Sequence, residues 1–218
     1  MPLLLKKKYP REVEWSIWLK LESNKTLVDL IPSGFISDLK PDEWTGISGK
    51  LGERLAARAA LFHLFEIPGI ENWQVVKEPT GQPKLIPSGK FHISISHSYE
   101  LAAAMKAPMA CGIDIQAIQD KIFRIQSKFA NEIETGPQPS KEHLHVLWGA
   151  KEAMYKAFGK RGLDFKADLY LKPFEYQPNG GATLGVVNKD EIKVSFEIQY
   201  LPIRHQMLVW AIQKVDAK

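Results

Sequence analysis

The organisation of the chain depends on one long helical segment, whose central stretch is WGAKEAMYKAFG at residues 148–159. Ser140 stands just before the segment and is a favourable N-cap, although the residue three positions on is His143 and not the glutamate of a capping box. Gly159 stands where such a helix would end. The sequence therefore predicts a helix from Ser140 to Gly159. The predicted helix runs through Leu144, Leu147, Lys151, Glu152 and Tyr155.

Strand-like and helical patterns surround this segment. Strand-like runs lie at residues 13–21, 91–97, 101–106, 111–118, 167–171, 192–200 and 207–215. Amphipathic helical spacing occurs at 51–65 and at 122–129, and residues 78–90 are rich in proline and glycine. The order of strand, helix, strands, helices and strands predicts an α+β fold with two halves of similar size, residues 1–108 and 109–218.

The composition is that of a folded globular protein. Of the 218 residues, 44% are hydrophobic and 25% are charged, which argues against disorder, and the net charge of +4 is compatible with an acidic ligand or partner. The single cysteine, Cys111, excludes an internal disulfide framework and favours a reducing compartment. No run approaches the roughly 20 apolar residues of a membrane span, and the first residues lack the pattern of a signal peptide. We expect a cytoplasmic protein that binds neither nucleic acid nor a membrane.

Two oxygen-bearing side chains share one face of a predicted strand, GIDIQ at residues 112–116. Because side chains alternate along a strand, Asp114 and Gln116 lie on one face while Ile113 and Ile115 fill the other. Such a pair suits Mg²⁺, which takes oxygen ligands, keeps several waters and commonly uses one or two carboxylates plus substrate phosphates. Considered alone, however, Asp114 favours an aspartate at a strand edge that faces water.

Three further polar residues acquire meaning only in combination. Glu152 and Lys156 stand four residues apart on one helix face, which alone indicates a surface ion pair. His97 lies between Ser96 and Ser98 at the end of a predicted strand, where hydroxyl and backbone N–H groups suit a phosphate, although a lone histidine is usually structural. Together with the carboxylate on the strand, this set suits a metal ion held against a phosphate ester.

Four motifs occur in an order that resembles the 4′-phosphopantetheinyl transferases. They are GQP at 81–83, ISISHS at 93–98, GIDI at 112–115 and WGAKEA at 148–153. The length resembles the monomeric, surfactin-synthetase-activating type and not the half-length trimeric type. The resemblance implies a monomer with a 4′-phosphopantetheinyl transferase-like fold of two pseudo-twofold-related halves, with coenzyme A and Mg²⁺ bound between them. It implies transfer of the 4′-phosphopantetheine group of coenzyme A to a serine of an acyl or peptidyl carrier protein, with release of 3′,5′-ADP.

The resemblance also implies a role for each matching residue. Asp114 and Glu152 would bind Mg²⁺, with Gln116 as a third metal ligand. Glu152 would also activate the carrier serine, and Lys156 would hold a phosphate oxygen. The nucleotide contacts would come from Ser96 and His97 at the phosphates, from Thr80, Gly81, Gln82 and Pro83 at the adenine, and from Lys50 or Arg54 at the 3′-phosphate.

Two positions depart from the family pattern. Many members carry glutamate where Gln116 stands, so the site has less negative charge, and on this interpretation Gln116→Glu would tighten Mg²⁺ binding. Gln82 stands where lysine is common, and Lys84 is close enough in sequence to replace it. Two alternatives stay open: a non-catalytic coenzyme A or carrier-protein binding module of the same fold, and a metal-dependent phosphoesterase that uses Asp114 and Glu152.

Overall fold

The structure is a computed structural model, and it shows a mixed α+β chain. The residues it describes are 3–39, 50–65, 69–87 and 90–215. The chain divides into two units, Met1–Pro108 and Met109–Lys218. Each unit contains an antiparallel sheet with a long helix packed against it, so the α+β class expected from the sequence is confirmed. Within the described ranges, no helix has the length and apolar character needed to cross a membrane.

The first unit is built around a four-stranded sheet. Its elements are β1 (Leu3–Tyr9), β2 (Val13–Leu19), α1 (Asn24–Leu30), α2 (Lys50–Phe62), β3 (Gln74–Lys77), β4 (Pro83–Ile86), β5 (His92–Ser98) and β6 (Leu101–Ala107). The sheet order is β1-β2-β6-β5, and β3 and β4 form a separate hairpin. Helix α2 lies close to the sheet because its buried face includes Leu55 and a set of alanines. Ser16 on β2 donates a 2.7 Å hydrogen bond to the Ala60 carbonyl of this helix.

The second unit is built around a five-stranded sheet and the long helix expected from the sequence. Its elements are β7 (Cys111–Ala117), α3 (Ile122–Ile125), α4 (Glu132–Thr135), α5 (Lys141–Phe158), β8 (Leu169–Leu171), β9 (Gly181–Lys189), β10 (Ile192–Ile203) and β11 (Gln206–Gln213). The sheet order is β7-β11-β10-β9-β8. The Ser140 hydroxyl accepts a 3.1 Å hydrogen bond from the His143 N–H at the start of α5, and Gly159 ends the helix with a φ of 71°. Both helix boundaries predicted from the sequence are therefore confirmed.

Several other elements differ from the sequence predictions. The sequence pattern does not predict strands β1, β3 and β9 or helices α1 and α4, and β4 lies inside the stretch expected to be a loop. The helix predicted at 51–65 ends at Phe62. The helix predicted at 122–129 is only the four residues of α3, followed by a 3-10 turn at Gln126–Lys128. The predicted strand 13–21 ends at Leu19, and Leu21 is exposed.

The two units contain the same order of principal elements. Each has a strand, then a long helix and then two final strands that pair with each other: β2, α2, β5 and β6 in one, and β7, α5, β10 and β11 in the other. In both sheets the last of these strands lies between the first strand and the penultimate strand. This part of the topology is therefore common to both units. The additions differ: β1 precedes the shared strand in the first unit, and β8 and β9 precede the final pair of strands in the second.

Gly112 allows helix α5 to approach strand β7 closely. A methyl group on Gly112 would overlap the Ala153 carbonyl oxygen and would lie 2.8 Å from the carbonyl carbon. This neighbour is helix backbone and cannot rotate away. We expect Gly112→Ala to lower the free energy of unfolding by about 3 kcal/mol, the upper part of the range for overpacking, as measured by urea denaturation.

A matched control for this substitution is Gly185→Ala on β9. An added methyl group there would meet Met154 at the sulfur atom, and that side chain is flexible. We expect Gly185→Ala to destabilise the protein less than Gly112→Ala. Equal losses would show that the approach of backbone to backbone at Gly112 is not the limiting contact.

Cys111 lies at the start of β7 and is buried. Burial raises the pKa of its thiol to about 12. Because the thiolate is the reactive form, we expect native protein at pH 8 to resist alkylation by iodoacetamide, while urea-unfolded protein reacts readily. Cys111→Ala supplies the blank, and rapid labelling of the native chain would contradict the expectation.

The same pKa shift predicts a loss of stability in alkali. The unfolded chain releases the thiol proton near pH 8.5, whereas the folded chain holds it to about pH 12. Above the unfolded pKa the unfolded state binds fewer protons, so stability falls by up to about 1.4 kcal/mol per pH unit across this window. Urea denaturation at pH 8 and pH 10 should show a fall that Cys111→Ala reduces.

Candidate metal and phosphate site

Asp114 lies in the middle of β7 and is covered by helix α5. Its side chain receives a 2.8 Å hydrogen bond from Lys156 Nζ, which also donates to the Ile113 carbonyl oxygen at 2.9 Å. Asp114 is only 8% exposed. The alternative of an aspartate at a strand edge that faces water is therefore wrong: Asp114 is a buried, paired carboxylate that faces the helix.

Glu152 is the second carboxylate at this place. It is half-buried, one helical turn before Lys156 on α5. Burial raises the pKa of Glu152, the neighbouring Asp114 charge raises it further, and Lys156 lowers it. The two carboxylates are thus close enough to repel each other, with one lysine beside them. A cation placed between them would relieve this repulsion.

The alignment of helix and strand explains why these residues meet. One face of α5 carries, in order, His145, Gly149, Glu152 and Lys156. Because these positions repeat about every 3.6 residues, they form a line along the helix. The facing positions of β7 are Gly112, Asp114 and Gln116. The helix runs against the strand so that the Lys156 end contacts Asp114 and the His145 end contacts Gln116.

Gln116 is held at both polar atoms by His145. Its Nε2 donates to the His145 carbonyl oxygen at 3.1 Å, and its Oε1 lies 3.0 Å from the ring Nδ1 of His145. On the other side of the ring, the Gln119 backbone N–H donates to Nε2 at 2.9 Å. His145 is 1% exposed, and burial lowers the pKa of its imidazole. The ring is therefore neutral, with its proton on Nδ1 and directed at Gln116.

A further contact of the His145 ring does not fit this tautomer. Nε2 of His145 also lies 3.1 Å from the Gln119 carbonyl oxygen. A neutral ring whose proton is on Nδ1 has no hydrogen to donate there. The Gln119 N–H bond and the orientation of the Gln116 amide both require the Nδ1 proton, so we assign that tautomer.

His97 is paired in the first unit with Glu53, which has no sequence-predicted role. Its Nδ1 lies 2.8 Å from Glu53 Oε2 on α2. Lys50 begins the same helix and is exposed, and Arg54 directly follows Glu53. Ser96 is buried and, because adjacent strand residues point to opposite faces, its side chain does not share the His97 face of β5. The first unit thus groups His97 with the start of α2.

Thr80, Gly81 and Gln82 lie in the turn between β3 and β4, and Pro83 is the first residue of β4. The Glu78 N–H donates to the Gln82 carbonyl oxygen at 2.9 Å, and the Gly81 N–H donates to the Glu78 carbonyl oxygen at 2.8 Å. Gly81 has a φ of 98°, a conformation that favours glycine. Lys84, which was expected to stand in for a lysine at position 82, forms an ion pair with Glu78 at 3.2 Å. The Gly-x-Pro motif is therefore a constrained hairpin turn.

Sequence reasoning missed two residues of these sites, His145 and Glu53. His145 could have been found, because it stands two helical turns before Glu152 and therefore on the same face. Glu53 could not, because it is 44 residues from His97 along the chain. Within the described part of the chain, no group of three or more His, Cys, Asp or Glu side chains could hold a metal. A Mg²⁺ ion at Asp114 and Glu152 would complete its shell with water and ligand oxygens, as this ion commonly does.

Comparison with known proteins adds no assignment. No protein family model matches the chain, and no curated protein matches it significantly in sequence. The interpretation of the two sites depends on the motifs and on the contacts of the described residues.

Proposed function

We propose that this chain is a Mg²⁺-dependent 4′-phosphopantetheinyl transferase that modifies a serine of an acyl or peptidyl carrier protein. The observation that carries the proposal is the placement of Asp114 and Glu152 on facing elements, close enough for their charges to interact, with Lys156 bonded to Asp114. Packing alone gives no reason for two partly buried carboxylates at one place. A Mg²⁺ ion would supply the positive charge that offsets the two carboxylates, and it would in turn attract the pyrophosphate of coenzyme A.

The proposed residues have complementary tasks. Asp114 and Glu152 would hold Mg²⁺, which when bound neutralises charge on the pyrophosphate oxygens. Glu152 would also accept the proton of the carrier serine, directly or through a water. The serine Oγ then forms a bond to the β-phosphorus of coenzyme A, and the bond from that phosphorus to the bridging oxygen of 3′,5′-ADP breaks. Lys156, released from part of its contact with Asp114, would stabilise the leaving phosphate oxygens.

The fold provides separate support for this proposal. The repeated order of strand, helix and paired strands in the two units is what two pseudo-twofold-related halves require. The carrier serine comes from the partner protein, so the chain needs no nucleophile of its own. The contacts proposed for His97, Ser96, Lys50 and Arg54 with the nucleotide, and for Thr80 to Pro83 with the adenine, stay predictions.

Mass spectrometry separates this function from the alternatives. The chain would be incubated with coenzyme A, Mg²⁺ and either an apo acyl carrier protein or an apo peptidyl carrier protein, with a parallel sample in EDTA. A gain of one phosphopantetheine group that depends on Mg²⁺ supports the transferase. Binding of coenzyme A without modification of either carrier supports a non-catalytic module, and breakdown of coenzyme A without modification supports a phosphoesterase.

A further inference from the structure

We propose that Gln116 and His145 form a clamp between β7 and α5 that fixes how Asp114 faces Glu152, and that Gln116 is a positioning residue and not a Mg²⁺ ligand. This inference rests on the proposed function, since it concerns the same metal site. It differs from the role that the family resemblance gives to position 116. The clamp is defined as the two hydrogen bonds that join the Gln116 amide to His145.

The clamp uses both ends of the Gln116 amide. The Nε2 donor bonds the His145 carbonyl oxygen at 3.1 Å, and the Oε1 acceptor takes the Nδ1 proton of the ring at 3.0 Å. The oxygen that a metal would need is therefore already hydrogen-bonded to a fixed donor. The ring cannot turn away, because the Gln119 N–H binds its other nitrogen at 2.9 Å and His145 is 1% exposed.

The position of the clamp couples it to the two carboxylates. Gln116 lies two residues from Asp114 on the same face of β7, and His145 lies two turns from Glu152 on the same face of α5. Any change in the separation of His145 and Gln116 therefore shifts Glu152 relative to Asp114. Residues that orient metal ligands in this way commonly alter metal affinity by about 10- to 100-fold when they are replaced.

Gly149 supports the same conclusion. A methyl group on Gly149 would lie 3.0 Å from Gln116 Nε2 and 2.7 Å from Val209 Cγ2. The glycine lets α5 approach the strand closely between the clamp and the carboxylates. The Gln116 amide thus packs against α5 at Gly149, and a larger residue at position 149 would displace the amide.

Substitutions at position 116 distinguish a clamp from a ligand. Gln116→Met keeps the length of the side chain and removes both hydrogen bonds. Gln116→Glu places a carboxylate oxygen where Nε2 now donates to a carbonyl oxygen. If Gln116 were a ligand, Gln116→Glu would tighten Mg²⁺ binding; the clamp predicts that both variants weaken it, by about tenfold or more.

Two substitutions of His145, the residue that pairs with Gln116, provide a rescue test. In His145→Asn the amide nitrogen takes the place of Nδ1 and can still donate to Gln116, whereas His145→Ala has no donor. The clamp predicts that His145→Asn retains more Mg²⁺ affinity than His145→Ala. Gln199→Met, a half-buried glutamine on β10 of the same sheet, is the matched control and should leave Mg²⁺ affinity unchanged.

The measurement is calorimetric titration of the full chain with Mg²⁺ in the presence of coenzyme A, together with binding of 3′,5′-ADP without metal. Weaker Mg²⁺ binding in both Gln116→Met and Gln116→Glu, with unchanged nucleotide binding, supports the clamp, and general damage to the fold would lower the affinity for both Mg²⁺ and nucleotide. Unchanged Mg²⁺ affinity in Gln116→Met, or tighter binding in Gln116→Glu, would overturn it. A native chain that binds Mg²⁺ but modifies neither carrier would overturn the proposed function alone, and one that binds no Mg²⁺ would overturn both.

Discussion

Asp114→Asn is expected to reduce transfer of phosphopantetheine by about a thousandfold. The asparagine keeps the volume of the side chain, and its oxygen can still accept the hydrogen bond from Lys156 that Asp114 accepts at 2.8 Å. What is lost is one of two negative charges offered to Mg²⁺. Metal stabilisation of transition-state charge is worth several kcal/mol, and each 1.4 kcal/mol is roughly a tenfold change in rate. The measurement is the initial rate of carrier modification at saturating coenzyme A and Mg²⁺.

Asp120→Asn is the matched control for this experiment. Asp120 belongs to the same unit and pairs with Lys141 at 2.8 Å, but its side chain is 84% exposed. The Asp120→Asn variant should transfer phosphopantetheine to the carrier at the rate of the native chain. Urea denaturation of both variants shows whether a loss of rate follows from unfolding. If Asp114→Asn transfers at close to the native rate in the presence of Mg²⁺, the assignment of Asp114 to the metal is wrong.

The elements that could be predicted from sequence are those whose signals are local. Helix α5 has an N-cap at Ser140 and a glycine in the left-handed conformation at Gly159, and both signals lie within a few residues of the ends they determine. The strand-like runs at 91–97 and 101–106 are separated by only three residues, and the two strands that they predict, β5 and β6, pair with each other. The shared face of Asp114 and Gln116 follows from strand periodicity alone.

The elements that were missed depend on neighbours that are distant in sequence. Strand β1 contains Lys6, Lys7 and Lys8, which resemble a solvated tail, yet it lies at the edge of a sheet and needs only β2 as its partner. Strand β9 begins with Gly181 and has Gly185 in the middle, which weakens its β propensity. Pairing with β10 along its whole length compensates for this weakness.

The candidate site also combines features that local sequence signals predict with contacts between residues that are distant in sequence. Strand and helix periodicity predicted which polar side chains share a face, but not which side chains contact them. The partner of Gln116 is 29 residues away and the partner of His97 is 44 residues away. Only the approach of a helix to a strand, made possible by glycines at 112 and 149, brings the first of these pairs together.

Lys151→Met is expected to destabilise the protein by about 3–5 kcal/mol, a large part of the stability of an ordinary domain. Lys151 and Glu134 are both fully buried, and their ion pair is 2.9 Å long. Lys151 Nζ also donates to the carbonyl oxygens of Phe129 at 2.6 Å and Phe165 at 3.0 Å. Burial lowers the pKa of Lys151, and Glu134 raises it. Methionine would fill the space but leave the Glu134 charge and two carbonyl groups without this donor, which urea denaturation would reveal.

Two comparisons make this prediction specific to the buried pair. Lys141→Met removes the lysine that pairs with the exposed Asp120 at the start of the same helix, and it should change stability little. In the background of Lys151→Met, Glu134→Gln removes the buried charge while keeping an oxygen that can accept the 2.8 Å hydrogen bond from the Leu171 N–H. The double variant should therefore recover part of the lost stability, with a coupling between the two positions that a double-mutant cycle measures. If Lys151→Met is as stable as the native chain, or if the second substitution only adds to the loss, the energetic role assigned to this pair is wrong.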